Sequence, residues 1–371
     1  MTRYDVAIVG AGIAGASLAA ELAGRASVLL VEAEAQPGYH STGRSAAFWS
    51  ESYGGPAIRP LTAASGPFLA APPADFAYAP FLRPRGALHV ADADGREALA
   101  GLAADFAGMA LFEPRDRAAL AAAIPGLRPG WDEGLAERSC RDIDVAALHG
   151  AYLKRARRLG VSLVCDARVE ALRREGGGWR IETRSGVFAA ETVVNAAGAW
   201  ADEIARLAGV RPLGIQPYRR TIAQLRVDPP APADLPLIVD ALGRFYFKPE
   251  AGGRLWLSPH DETPSVPQDC AAAEEDVALA IHRFEQVVDW RVVAVERRWA
   301  GLRSFAPDRR PVYGFDPAAG GFFWCAGQGG FGIQTAPAAA GMAAALLLGR
   351  AMPEWLHGID PARYDPSRFR A

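Results

Sequence analysis

The sequence predicts a chain of mixed class, an α/β unit on a parallel sheet joined to an α+β unit on a mostly antiparallel sheet. Three observations carry this reading. A strand, a glycine turn, a helix and a second strand follow one another within residues 5–32. Apolar and polar residues alternate over 213–227 and 237–249, the pattern of half-exposed antiparallel strands. A length of 371 residues exceeds what one small core needs, so two domains are the expectation.

The first unit is anchored by its opening motif. Asp5-Val6-Ala7-Ile8-Val9 reads as a buried strand, and Gly10-Ala11-Gly12-Ile13-Ala14-Gly15 as the turn into an Ala/Leu-rich helix. Val28-Leu29-Leu30-Val31 is the second strand, ending on Glu32. Gly10 permits the tight turn, Gly12 lets the backbone approach a pyrophosphate, and Gly15 lets helix and sheet pack closely. The helix N-terminus offers free N–H groups to phosphate. Glu32 stands where a carboxylate accepts from ribose hydroxyls and repels a 2′-phosphate. The motif is a Rossmann-like dinucleotide fingerprint.

Composition narrows the function classes. Half of the residues are hydrophobic and 22% are charged, as in ordinary globular chains. With 40 basic and 42 acidic residues the net charge is −2, and no basic excess points to nucleic acid or an anionic membrane. Cys140, Cys165, Cys270 and Cys325 are scattered, which favours buried thiols over disulfides or metal ligands. No metal site is expected. The apolar stretch 6–23 is explained by the glycine motif better than by a signal peptide. No apolar run is long enough to span a membrane, so a cytoplasmic location is expected.

Along the chain, Ala33 opens a polar turn, and Ser41-Thr42-Gly43-Arg44-Ser45-Ala46-Ala47 follows without helix or strand period. On spacing alone, its hydroxyls and N–H groups either line a cofactor or form a solvated connector. Residues 53–90 are rich in Pro, Gly and Ala, with Pro72-Pro73 breaking any helix. A strand is expected over 81–90 and helices over 94–110 and 114–123. Asp144 should cap an amphipathic helix that Gly160 ends. Residues 161–164 form a short strand, and 179–183 with 187–190 a hairpin. A further strand, 192–195, runs into Ala197-Gly198-Ala199-Trp200, small enough for close approach to a cofactor. A helix over 274–288 and a strand over 292–302 complete the second unit. Near the end, a buried strand at 322–326 meets Gly327-Gln328-Gly329-Gly330-Phe331-Gly332-Ile333-Gln334-Thr335. A helix over 336–348 comes next, with Thr335 as its cap and Pro337 in its first turn.

That second glycine cluster decides the cofactor. A helix N-terminus aimed at a ring stabilises the negative charge a reduced flavin carries. A nicotinamide enzyme needs no such contribution from the far end of the chain. Non-covalent FAD is therefore expected rather than NAD.

These segments, with Gln36–Ala47, Val194–Trp200, Phe245–Pro249 and Trp299–Phe305, resemble the FAD-dependent D-amino acid oxidase and dehydrogenase family, nearest the bacterial D-arginine dehydrogenases. The resemblance spans nearly the whole chain in order. It implies a discontinuous Rossmann-like (GR2-type) FAD-binding domain, 1–80, 142–212 and 298–371. It also implies a substrate domain, 81–141 and 213–297, whose mostly antiparallel sheet roofs the flavin. The implied cofactor contacts are Gly10, Gly12, Ile13, Ala14, Gly15, Glu32, Ala33, Ser41, Thr42, Arg44, Ser45, Ala46, Ala47, Val169, Ala197, Gly198, Trp200, Gly301, Arg303 and Gly329 through Thr335.

Oxidising an amino acid at Cα needs a carboxylate anchor, and an arginine fork matches two carboxylate oxygens. The resemblance places Arg220 and Arg303 in that role. Arg303 lies in an apolar setting where an idle charge is costly, although a buried ion pair is the alternative. Arg220 follows Arg219, and such a doublet more often marks a solvated strand face. Tyr53 and Tyr246 match active-site tyrosines, and the backbone near Gly332 is an acceptor for the amine. His149 and His260 read as structural or exposed. The family's acidic side-chain receptor is matched by Ala87 and a family histidine by Phe48, so uncharged D-amino acids are expected over D-arginine. An oxidase of glycine, N-methyl or cyclic amino acids, a 2-hydroxy acid dehydrogenase and a non-catalytic flavoprotein remain alternatives. The electron acceptor, whether quinone, another acceptor or oxygen, is left open.

Overall fold

A computed structural model describes residues 2–369. Its first sheet is built on Arg3–Val9, flanked in parallel by Val28–Val31 on one side and Gly186–Asn195 on the other. Ser162–Val164 continues the parallel set outward from Val28–Val31, and Phe322–Ala326 from Gly186–Asn195. Val28–Val31 and Phe322–Ala326 are apolar and buried along their whole length, as strands covered on both faces must be. Helices Ile13–Leu22, Val145–Arg158 and Ala336–Leu347 pack together on one face.

Asp144 caps its helix by accepting from the Ala147 N–H at 2.9 Å, and Gly160 takes φ +91° beyond its end. Thr335 occupies the N-cap position of the last helix but makes no capping bond; its hydroxyl donates to the Phe331 carbonyl at 2.9 Å instead.

Gly186–Asn195 replaces the hairpin arm and separate strand read from the sequence. It is one continuous strand, antiparallel to Gly178–Thr183 over its first half and parallel to Phe322–Ala326 over its second. No turn residue interrupts it, so the chain has no reason to break there.

The second sheet runs Thr263–Pro264, Gln216–Asp228, Arg254–Ser258, Tyr246–Glu250, Leu237–Asp240, Ala87–Ala91, Glu133–Glu137, Glu113–Asp116, with Arg291–Phe305 also paired to Gln216–Asp228. Only Leu237–Asp240 and Ala87–Ala91 pair in parallel. One face is packed by helix Glu274–Glu285 and residues around Leu120 and Ile124. Ala87, Ile222, Leu237 and Tyr246 of this sheet pack instead with Ala46 and Phe48.

Three further elements depart from expectation. Pro114 lies in an edge strand, Glu113–Asp116, where its missing N–H costs nothing, and the helix starts only at Arg117, capped by Asp116. The strand expected over 81–90 splits into Leu82–Pro84 and Ala87–Ala91 at Gly86, which has φ +71°. Helix Arg59–Ala70 forms where Pro72-Pro73 suggested none, because those prolines follow it; Pro60 sits in its first turn and Pro67 is tolerated inside.

Candidate active site

A long cavity starts at the first glycine turn. Gly10 has φ +100°, and a Cβ there would lie 2.6 Å from the Ala196 carbonyl oxygen; Gly15 has no room at all against Gly10. Gly12, Ile13 and Ala14 line the cavity. The Thr42 hydroxyl accepts from the Ile13 N–H at 3.0 Å, while the Gly12 N–H has no protein acceptor among the described residues. Buried Glu32 accepts from the N–H groups of Ala11 at 2.8 Å and Glu34 at 3.1 Å, which aims its carboxylate along the cavity edge. A glycine cradle, an open N–H and an oriented acid fit a ribose–pyrophosphate chain.

Farther along, Ala33, Ser41, Thr42, Ser45, Val169, Ala197, Gly198 and Trp200 all contribute to the wall. The segment 41–47 is thus no solvated connector. His40, not singled out from the sequence, also lines it, with its ring 4.6 Å from Trp200 and bonded to Glu34 at 2.9 Å. Arg44 turns away from the cavity. Its guanidinium donates to the carbonyls of Cys270 and Ala300 and pairs with Asp269, tying this segment to residues 269–270 and to strand Arg291–Phe305.

The second glycine cluster closes the far end, where Gly329, Gly330, Gly332 and Ile333 reach the wall. A Cβ on Gly329 would strike the Phe305 ring at 2.2 Å, and one on Gly330 the Tyr53 hydroxyl oxygen at 2.3 Å. The Gly329 N–H donates to the Ser304 carbonyl at 2.9 Å, which pins this turn to the end of strand Arg291–Phe305. Phe331 and Thr335 stay off the wall; Phe331 packs edge-on against Tyr53 at 5.0 Å. Gly301 also lies outside it, between Arg44 and Arg303.

Ser45, Arg303, Gly330 and Ile333 are shared with a second, smaller cavity. Its remaining lining is Ala46, Ala47, Phe48, Tyr53, Arg220, Tyr246 and Gln334, so no acidic side chain faces it. Ala87 is absent from this wall. It is buried in an apolar cluster with Ala46, Phe48 and Tyr246 and borders a separate surface groove. Ala87 is therefore placed behind the aromatic lining rather than on it.

The two arginines reach this cavity through strand register. Tyr218 pairs with Arg303 and Arg220 with Gly301, so Arg220 and Arg303 share one face of the sheet as diagonal neighbours. The Arg219-Arg220 doublet splits between faces accordingly. Arg219 pairs with Asp276 at 2.6 Å, whereas Arg220 is 3% exposed.

Burial opposes the charge on Arg220, but Tyr53, Tyr246, Glu262 and Asp261 together hold its pKa above the ordinary value. Its Nε donates to the Asp261 carbonyl at 2.9 Å and one terminal nitrogen to Glu262 at 3.1 Å. Arg303 has no hydrogen bond or ion pair among the described residues, and burial pushes its pKa down. The buried ion pair weighed for Arg303 is thus not found among the described residues, whereas Arg220, weighed as part of a solvated strand face, is buried and pairs with Glu262. Burial raises the Tyr246 hydroxyl, against the pull of Arg220. His260 packs on Tyr246 and is held neutral by burial, its pKa lowered to about 3. His149 is buried and bonded to the Ala11 carbonyl at 2.9 Å.

Sequence reasoning missed a buried polar knot beside this cavity. Glu137, wholly buried, binds Ser50, Glu51 and Ser52, immediately before Tyr53. Ser50-Glu51-Ser52 beside an aromatic was a visible cue; nothing marked Glu137. Among the described residues no His/Cys/Asp/Glu cluster fits a metal ion, and no helix is long and apolar enough to cross a membrane. All four cysteines are free, three of them buried.

A family model described as FAD dependent oxidoreductase matches residues 5–346. Glycine oxidase of Pseudomonas putida is 32% identical over 192 residues, 50% of this chain and 48% of that protein. The bifunctional protein ThiO/ThiG of Synechocystis is 28% identical over 229 residues, 60% of this chain and 33% of that protein. The chain thus spans about half or less of the length of these curated relatives. Among solved structures, glycine oxidase from Geobacillus kaustophilus superposes with TM-score 0.86 at 24% identity, covering 99% of both chains. L-proline dehydrogenase from P. horikoshii gives 0.83 at 20% identity, covering 100% of this chain and 98% of that one. At such identities the structural likeness speaks for the fold, while the family match runs through both glycine turns and both arginines. The chain belongs to the family of FAD-dependent oxidoreductases.

Proposed function

We propose that the chain oxidises an α-amino acid at Cα, preferring D-amino acids with uncharged side chains. The observation that carries this is Arg303, a buried guanidinium without a partner among the described residues where the two cavities meet. A buried, unpaired cation on a cavity wall calls for an anionic ligand, and a carboxylate matches its fork.

In this reading Arg303 and Arg220 hold the substrate carboxylate from one sheet face, with Tyr53 and Tyr246 beside it. Bound FAD supplies the acceptor for the hydride that leaves Cα. The amine lone pair assists that departure once the amine is neutral, so the residues contribute orientation and electrostatics rather than a base. Loss of two electrons and two hydrogens gives the imine, and water then releases a 2-oxo acid and ammonia. Phe48, Tyr53 and Tyr246 surround the rest of the substrate, and the absence of a lining carboxylate disfavours a cationic side chain.

A second reading is oxidation of glycine or an N-methyl amino acid. The small cavity and the glycine oxidases among the relatives support it. A 2-hydroxy acid substrate is less favoured, because it needs a base. The neutral His260 is bonded to the Gly243 carbonyl and does not line the cavity.

Anaerobic titration of the flavin absorbance with glycine, sarcosine, D-leucine, D-methionine, D-phenylalanine, D-arginine and the L-enantiomers tests this. Bleaching fastest with the uncharged D-amino acids is expected. Fastest bleaching by glycine or sarcosine moves the assignment to the second reading, and D-arginine at or above the others overturns the side-chain preference. Oxygen uptake with and without an artificial acceptor separates oxidase from dehydrogenase.

A further inference from the structure

We propose that Glu137 is a positioning residue that fixes Tyr53 over the substrate cavity by clamping the turn Ser50–Tyr53 to the antiparallel sheet. This rests on the reading of the smaller cavity as the substrate site. Glu137 ends strand Glu133–Glu137, is 0% exposed and has no arginine or lysine ion pair among the described residues. A carboxylate so placed needs donors. It takes them from one short segment: the Ser50 hydroxyl at 2.9 Å, the Glu51 N–H at 2.9 Å and the Ser52 hydroxyl at 2.5 Å. His89 and Ser139 complete the shell, each at 3.4 Å.

The same turn is tied on its other side. Gln334 accepts from the Ser50 N–H at 3.2 Å and donates to the Tyr53 carbonyl at 3.1 Å. The Ser50 hydroxyl oxygen in turn accepts from the Tyr53 N–H at 3.2 Å. Tyr53 is thereby suspended between the antiparallel sheet, through Glu137, and the second glycine turn, through Gln334. Burial alone favours the neutral acid, yet His89 and the serines hold the Glu137 carboxyl below its usual range. An ionised acceptor makes each of these bonds stronger than a neutral one. Three bonds reach three consecutive residues that lead into Tyr53, and their common outcome is the place of that one side chain.

The test uses the FAD-loaded enzyme carrying Glu137→Ala, with flavin absorbance and circular dichroism confirming the fold. Hydrogen exchange of a peptide spanning 50–55 is expected to quicken at least tenfold. KM for the amino acid is expected to rise about tenfold with kcat within twofold. Added to Tyr53→Phe, the change is expected to cost less than a further twofold. Unchanged exchange overturns the clamp. Faster exchange with fully additive kinetics overturns action through Tyr53. Tyr53→Phe with wild-type kinetics overturns the reading of the cavity, while exchange still decides the clamp. If Glu137→Ala does not fold, Ser52→Ala removes the shortest of these bonds from the turn's side and carries the same expectations at about threefold.

Discussion

Arg220 and Arg303 stand on the same face of one pair of antiparallel strands, but only Arg220 has a carboxylate, that of Glu262 at 3.1 Å. One guanidinium is paired by the protein, and the other has no ion-pair partner among the described residues. Replacing Arg303 by Met should therefore separate stability from function. Removing an unpaired buried charge is expected to stabilise the enzyme by roughly 1 kcal/mol, seen as a melting temperature a few degrees higher. The same change is expected to lower kcat/KM by about a hundredfold, or ~3 kcal/mol of charge-assisted bonding. A lower melting temperature in calorimetry would show that Arg303 is paired in solution.

Gly330 has ordinary backbone angles, so its substitution acts through space alone. A methyl group there would lie 2.3 Å from the Tyr53 hydroxyl oxygen and must displace that ring. Gly330→Ala is expected to raise KM severalfold while FAD content per chain stays at one. Loss of FAD from the purified variant would instead make the glycine a cofactor contact.

His260 gives stability a pH slope. Burial lowers its pKa to about 3 in the folded chain, against about 6.5 when unfolded. The unfolded state then binds the extra proton, so stability is full above pH 6.5 and falls toward pH 3, by about 1.4 kcal/mol per unit from this group. His260→Asn keeps a donor for the Gly243 carbonyl and suits the local φ of +54°. Melting temperatures from pH 4 to 7 should fall less steeply in the variant than in the wild type; equal slopes would assign the acid sensitivity elsewhere.

Asp142 accepts from Lys248 at 2.7 Å and from Arg85 at 2.7 Å, and its backbone pairs with Phe48. Lys248 is buried, so losing its partner strands a charge. Asp142→Asn is expected to cost about 3 kcal/mol in denaturant unfolding, and restoring Lys248→Met in the same chain should recover much of it.

What was legible in the sequence follows contact distance along the chain. The strand–turn–helix–strand opening is local in its hydrogen bonds and forms as read, although Gly10 is also required by its close approach to Ala196. The continuity of Gly186–Asn195 was hidden because its two halves take different partners. Arg220 looked like half of a solvated doublet, since alternation of faces becomes visible only when Gly301 and Arg303 are set opposite. Ala87 was matched by position, but which wall it faces depends on Phe48 and Tyr246. Glu137 was invisible because its partners lie 85 to 87 residues away.

Strand Arg291–Phe305 carries Arg303 near one end, and that end is stitched to the Gly329 turn through the Ser304 carbonyl. The opposite end of the strand is largely exposed, and the strands bearing Ala87 and Val239 belong to the far side of the sheet. The place of the Arg303 guanidinium relative to the second glycine turn is therefore written into a single covalent rod, while Phe48, Tyr53 and Tyr246 reach the smaller cavity from other segments. For an engineer this is a modular layout. On the proposed reading, exchanging Phe48 or Tyr246, which line the smaller cavity from other segments, retunes which side chain enters and leaves Arg303 in its place beside the glycine turn.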